Sequence, residues 1–199
     1  MRPLCPRCAL PAPACLCRWI TPTSNRIPLL VLQHPAESRQ AKGSVRLLQL
    51  SLGHSHCLVG DRFDPAALEA LLCPPAAADT ACAGQPLLLF PDGAGDDGER
   101  AAPPPCPGPL VLLDGTWRQA RQLLQAHPQL QALPRWALRD PPPGRYAIRR
   151  AHRPDQRSSL ECACLALGRL EGRPLHYQPL LAAFDGWVAS VVARLPTRT

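Results

Sequence analysis

Short apolar runs that each end abruptly in a polar or proline-rich tip set the rhythm of this chain. Pro28-Leu-Leu-Val-Leu-Gln33 stops at His34-Pro35-Ala36-Glu37, Pro86-Leu-Leu-Leu-Phe90 at Pro91-Asp92-Gly93, and Leu110-Val-Leu-Leu113 at Asp114-Gly115-Thr116-Trp117. Runs apolar at consecutive positions predict strands covered on both faces. Cys57-Leu-Val-Gly60 is a further short apolar run, and Trp136-Ala-Leu-Arg139 predicts a fourth strand. Helical spacing fills the intervals. It is imperfect from about Gln40 to Leu52, where Val45, Leu48, Leu50 and Leu52 form the apolar face. Asp64-Pro65, an N-cap followed by proline at the first helical position, opens a helix to about Leu72. Further helices are predicted over Trp117 to His127, Ser159 to Leu167 and Leu180 to Arg194, and loops over 74–85 and 93–109. Strands alternating with helices predict an α/β fold built on a parallel sheet. Ligands bind such sheets beyond the carboxyl ends of the strands, so the polar tips are where a site is expected.

Composition narrows the class. A chain of 199 residues, 46% hydrophobic, is long enough for one real core and too short for two full-sized domains. We expect a cysteine module with its connector over 1–26 and one globular domain over 27–199. The 22 Lys+Arg against 15 Asp+Glu give +7, and Lys42 is the only lysine. An arginine-rich surface suits nucleic acid. The same bias, with 26 prolines, is also what a GC-rich coding background produces, so charge alone leaves the partner open. No apolar run resembles a signal peptide or a membrane span, which makes a cytoplasmic location with no membrane partner the expectation.

In that compartment ten cysteines are not expected to form a disulfide framework. Cys5, Cys8, Cys15 and Cys17 stand apart from the other six. Thiolates spaced Cys-x-x-Cys and Cys-x-Cys can close round one tetrahedral Zn²⁺, and a site with all its positions filled by protein is structural. Unligated thiols in a tail are the alternative. Cys57, Cys73, Cys82, Cys106, Cys162 and Cys164 lie in apolar or loop contexts and are expected to be non-ligands. The sharpest signal in the main domain is Asp114-Gly-Thr-Trp117, an aspartate at the tip of an all-apolar strand with a glycine that lets the chain turn closely against a ligand. The same residues also read as a helix cap followed by a core tryptophan.

Asp114-Gly-Thr-Trp117 after an apolar strand resembles the signature of the DTW-domain family, and other segments match in order. They are Cys5-Pro-Arg-Cys8 with Cys15-Leu-Cys17, Gln33-His-Pro-Ala-Glu37 with Lys42-Gly-Ser44, Leu88-Leu-Phe-Pro91, and Arg157-Ser-Ser-Leu-Glu161. The resemblance covers nearly the whole chain. It implies a SPOUT-like, Rossmann-like parallel sheet, with a chain knot and the choice of monomer or homodimer left open. It also implies a tRNA-uridine aminocarboxypropyltransferase that moves the 3-amino-3-carboxypropyl group of S-adenosylmethionine to uridine N3, in the tRNA variable loop, releasing methylthioadenosine.

On that basis Asp114 is the expected catalytic base. Phe90, Pro91, Asp92, Thr116, Trp117, Ser158, Ser159 and Glu161 are the expected donor pocket, the serines opening a helix where N–H groups can grip a carboxylate. Ser-Ser-Leu-Glu also reads as a capping motif. The tRNA contacts are expected from Arg39, Lys42, Arg118, Arg149, Arg150, Arg153 and Arg157, with Arg145 in the same cluster. His34 is a tRNA candidate or a structural hydrogen-bonder. The chain carries Gly43-Ser44 where some relatives have Asn-Thr, which keeps the hydroxyl and loses the amide. A SPOUT-type RNA methyltransferase and a non-enzymatic zinc-containing RNA-binding protein are the rival functions.

Overall fold

The computed structural model describes residues 3–38, 40, 43–74, 84–91, 108–138 and 157–193. Asp92, Arg39, Lys42, Arg145, Arg149, Arg150, Arg153, Cys82, Cys106 and nearly all of the 93–109 loop lie outside them, as does the stretch 139–156.

The apolar runs form a parallel sheet of five strands: β1 Leu29–Gln33, β2 Ser55–Val59, β3 Leu87–Leu89, β4 Leu110–Asp114 and β5 Arg135–Trp136, in the order β2-β1-β4-β3-β5. The helices are α1 Pro35–Ser38, α2 Val45–Ser51, α3 Pro65–Leu72, α4 Trp117–Ala126, α5 Pro128–Gln131, α6 Ser159–Leu170 and α7 Gln178–Val192. Side chains alternate across the sheet with the two-residue period of a strand. Leu29, Val31, Leu110 and Leu112 join α2, α6 and α7 in one core. Leu30, Leu32, Val111 and Leu113 join α3, α4 and α5 in the other. Covering both faces is what makes β1 and β4 apolar at consecutive positions; each buried leucine contributes roughly 1.5–3 kcal/mol.

Several boundaries differ from the sequence expectation for identifiable reasons. The helix expected from Gln40 starts only at Val45, because Gln40 and Gly43 are spent in turns, Gln40 N–H donating to Glu37 O at 2.9 Å and Gly43 N–H to Gln40 O at 3.0 Å. The apolar run at Cys57 belongs to a strand that begins at Ser55, since β1 pairs Leu29 with Ser55. The strand expected from Trp136 is Arg135–Trp136, limited by the short β3 it pairs with, Leu88 to Arg135 and Leu89 to Trp136. The turn of helix at Pro128–Gln131 was not anticipated. Among the described residues no helix is long and apolar enough to cross a membrane.

The cysteine module is fastened to this frame. Cys8 and Leu16 are fully buried in the same cluster as Trp187 and Val188 of α7. The connector that follows runs along the edge where the strands begin. Thr23 N–H donates to Ser51 O at 2.8 Å, and the Asn25 amide Nδ2 donates to Ile27 O and His54 O, both at 2.8 Å. Glu171, just past α6, accepts from Arg26 N–H at 2.7 Å, from Ile27 N–H at 3.0 Å and from the Tyr177 hydroxyl at 3.0 Å. Burial and the Glu171 carboxylate push the Tyr177 hydroxyl well above its ordinary pKa, so it remains a donor.

The tightest point of this junction is Gly186 on α7. A Cβ there would collide with the six-membered ring of Trp19. Gly186→Ala is expected to cost about 1–3 kcal/mol by overpacking. A chain of this size would then melt lower by about 2–4 °C per kcal/mol. Thermal unfolding of the two proteins checks it, and equal melting temperatures would show that Trp19 does not seat against Gly186.

Candidate functional site

Strand order locates the site. The chain leaves β1 toward β2 on one side, whereas it leaves the adjacent β4 toward β5 on the other. Where neighbouring parallel strands send their connections in opposite directions, a crevice opens beyond their carboxyl ends. At that point the register sets Gln33 opposite Asp114.

The Gln33 amide Nε2 donates to Asp114 Oδ2 at 2.8 Å. The Ser159 hydroxyl donates to Asp114 Oδ1. His34 N–H donates to the Asp114 backbone carbonyl at 2.9 Å, continuing the ladder one step past the strand. The carboxylate is therefore gripped from β1 and from the start of α6. Gly115 lets the chain turn tightly behind it, because a Cβ there would lie 3.0 Å from Gln119 Cβ and 3.5 Å from His34 Cβ. Thr116 then caps α4 in a capping box: Gln119 N–H donates to Thr116 Oγ1 at 3.3 Å and Thr116 N–H to Gln119 Oε1 at 2.7 Å.

The start of α6 is a second capping box. Ser158 N–H and Oγ–H donate to Glu161 Oε2 at 2.9 and 2.8 Å, and Glu161 N–H donates to Ser158 Oγ at 3.2 Å. Leu160 N–H donates to Ser44 Oγ at 3.4 Å, so the N-termini of α2 and α6 meet beside Asp114. Glu161 is only 4% exposed. The groups expected to hold a donor thus serve one another: Ser158 with Glu161, and Ser159 with Asp114. Sequence reasoning had not counted Gln33 or Ser44 among the site residues. Gln33 could have been noticed as the one polar position in an apolar strand.

The rim is aromatic. Trp117, at the first turn of α4, is 56% exposed, so it is not the core residue its helical position allowed. It meets the largely buried Phe90 edge to face, with ring centroids 5.8 Å apart. Pro91 is exposed beside it. His34 Nδ1 accepts from Ala36 N–H at 3.2 Å, the structural role weighed for it. Of the expected RNA contacts within the described residues, Arg118 is exposed on α4 and Arg157 is half-buried immediately before α6.

The four cysteines of the module converge, their Sγ atoms all within 4.8 Å of one another. Cys5 and Cys17 are 3.5 Å apart, and Cys8 and Cys15 3.8 Å. Tetrahedral coordination with Zn–S bonds of about 2.3 Å has sulfur edges of about 3.8 Å, so the donor set fits such an ion. The backbone N–H groups of Cys8 and Arg7 point at Cys5 and lower its thiol to about 6. Burial and the neighbouring thiols raise Cys17 to about 12. Elsewhere, burial raises Cys57 and Cys162 to about 11.

These features define a doubly wound parallel α/β protein that carries its binding crevice and its four-cysteine cluster on different elements. The DTW domain model matches residues 2–192, and the chain belongs to that family. It is 32% identical over 185 residues to tRNA-uridine aminocarboxypropyltransferase 2 of Drosophila melanogaster, covering 89% of this chain and 70% of that one. It is 30% identical over 177 residues to the proteins of that name from Mus musculus and Macaca fascicularis, covering 85% of this chain and 57% of theirs. No solved structure matches the chain significantly.

The turn between Cys8 and Leu10 carries strain that can be measured. Ala9 adopts φ 54°, a left-handed conformation that costs an L-residue roughly 1–2 kcal/mol. Ala9→Gly relieves it and returns part of the gain as unfolded-state entropy, for an expected net stabilisation of roughly 0.5–1 kcal/mol. Denaturant unfolding of the two proteins reads this directly. A loss of stability would show that Ala9 is not held at positive φ.

Proposed function

We propose that this protein is a tRNA-modifying transferase that moves the 3-amino-3-carboxypropyl group of S-adenosylmethionine to N3 of a tRNA uridine and releases methylthioadenosine. The observation that carries the proposal is the carboxylate of Asp114 at the switch point, gripped by Gln33 and Ser159, in a chain whose relatives bear the name tRNA-uridine aminocarboxypropyltransferase. The donor's sulfonium supplies the activation of the carbon to be transferred. What remains for the protein is to place uridine N3 in line with that carbon and to take its proton. Asp114 takes the N3 proton as the nitrogen's electron pair forms the new N–C bond, and the pair of the broken C–S bond leaves with sulfur.

The exposed face of Trp117, backed by Phe90, supplies an apolar surface for a base or for the donor's adenine. Ser158, Ser159 and Glu161 act mainly by ordering the start of α6 and Asp114, since their polar groups are already satisfied there. Arg118 and Arg157 on the crevice margin suit the RNA backbone. The cysteine module holds Zn²⁺ in a structural role: all its ligand positions are thiolates, leaving none for a reactant.

Two measurements test this. Unmodified tRNA is incubated with the protein and labelled donor, and its nucleosides are weighed. An aminocarboxypropyl adduct on uridine is expected; a methyl adduct would identify a methyltransferase instead, and no adduct with RNA binding retained would identify a binding protein. Asp114→Asn is expected to lower the rate about 10²- to 10⁴-fold, and full activity would remove Asp114 from the chemistry. Separately, metal analysis of the purified protein is expected to find one zinc per chain, lost on Cys8→Ser. A metal-free protein that keeps its melting temperature would refute the zinc assignment.

A further inference from the structure

Gln33 does more at this site than complete a strand. It is only 7% exposed, yet it is polar, and it sits in register with Asp114 at the point where the crevice opens. Its amide orientation is determined by chemistry, since only the Nε2 end can face a carboxylate oxygen without repulsion. The 2.8 Å bond to Asp114 Oδ2 uses one of the two Nε2 hydrogens. The other hydrogen and Oε1 have no hydrogen-bond partner among the described residues. Gln33 Oε1 is not among the buried polar atoms left without a partner, so this end of the amide reaches solvent at the strand tip, where a ligand can replace water.

Resting on the transferase reading above, we propose that Gln33 and Asp114 together read the Watson–Crick edge of uracil, and that Gln33 is the residue that selects uridine over cytidine. Asp114 presents an acceptor and Gln33, 2.8 Å away, presents a donor. Uracil offers the complement, an N3–H donor beside a carbonyl acceptor. Cytosine offers the reverse, a bare N3 beside an amino group, and would set lone pair against carboxylate and N–H against N–H. The same Gln33 bond keeps the Asp114 carboxylate aimed at N3. One amide therefore orients the base acceptor and checks for a carbonyl beside N3, while Asp114 meets the N3 proton.

The test uses the full-length, metal-loaded protein with S-adenosylmethionine and tRNA transcripts in which the modified uridine, located first by mass spectrometry, is replaced by cytidine, 4-thiouridine or 2-thiouridine. Gln33→Met removes the amide and keeps the length of the side chain. It is expected to retain donor affinity by calorimetry, and to lose kcat/KM on the uridine transcript about 10- to 100-fold, the range for losing one base-edge contact. Thio-substitution weakens one carbonyl acceptor. In the wild type the 4-thio transcript should change the rate, since only the O4 side distinguishes uracil from cytosine, and in Gln33→Met that change should vanish.

A merely structural Gln33 would leave the thio effects equal in both proteins, and that outcome would overturn the proposal, as would a Gln33→Met rate within about threefold of wild type. Gln33→Glu supplies an independent readout. Its carboxylic acid can donate to Asp114 only when protonated, so its rate relative to wild type is expected to rise as pH falls; a ratio that does not change with pH counts against the orienting role. Should the wild type form no uridine adduct at all, the transferase reading fails and takes this inference with it, whereas an active wild type with an indifferent Gln33 sinks the inference alone.

Discussion

The pairing of β1 with β4 is the constraint on which the site depends. It is a parallel ladder between strands buried on both faces, and a slip of one residue would turn every leucine to the wrong core. Leu30 and Leu32 could not leave the layer of α3, α4 and α5 without Leu29 and Val31 leaving that of α2, α6 and α7. The register is therefore held by the hydrophobic energy of the whole sheet. That energy keeps Gln33 beside Asp114. The polar contact at the strand tips inherits a precision that its own hydrogen bond, worth about 1.5–3 kcal/mol with a charged partner, could not supply.

From this pair outward the arrangement is built of helix starts. α4 begins three residues past Asp114 and α6 begins against its carboxylate, each closed by its own capping box. Capping within the helix has a consequence for the crevice. The Thr116 N–H is committed to Gln119 Oε1, and the Ser158 N–H and hydroxyl to Glu161 Oε2. At the rim the indole of Trp117 stays exposed, an apolar face that suits a flat ring.

The parts legible in the sequence were those where a local pattern and the tertiary environment ask for the same residues. β1 and β4 were readable because burial on both faces leaves no polar position before the last, and Asp64-Pro65 marks the start of α3 whatever it packs against. The helix expected from Gln40 ran too long because its apolar spacing carries no mark of the turns at Gln40 and Gly43. β5 was misplaced because a strand's limits are set by its neighbour, here the three residues of β3. Of the site, Asp114 was legible as a polar tip. Gln33 was legible only as the end of a run, since its significance lies in register, which a single strand does not record. Ser159 was visible as a helix opener, but that its hydroxyl turns to a carboxylate 45 positions away is a fact of the fold.

α6 spans the distance from the site to the connector of the cysteine module. Its first residue holds Asp114 through the Ser159 hydroxyl, and just beyond its last turn Glu171 holds the connector that leads back to the cysteine module. Between these ends its buried face, Leu160, Ala163, Cys164 and Leu167, lies in the core that also takes Cys8 and Leu16 of the module. A rigid helix anchored at both ends passes a displacement of one to the other, because a close-packed core has no slack in which to absorb it. The cysteine cluster thus lies apart from Asp114 and is joined to it through one continuous core and through α6.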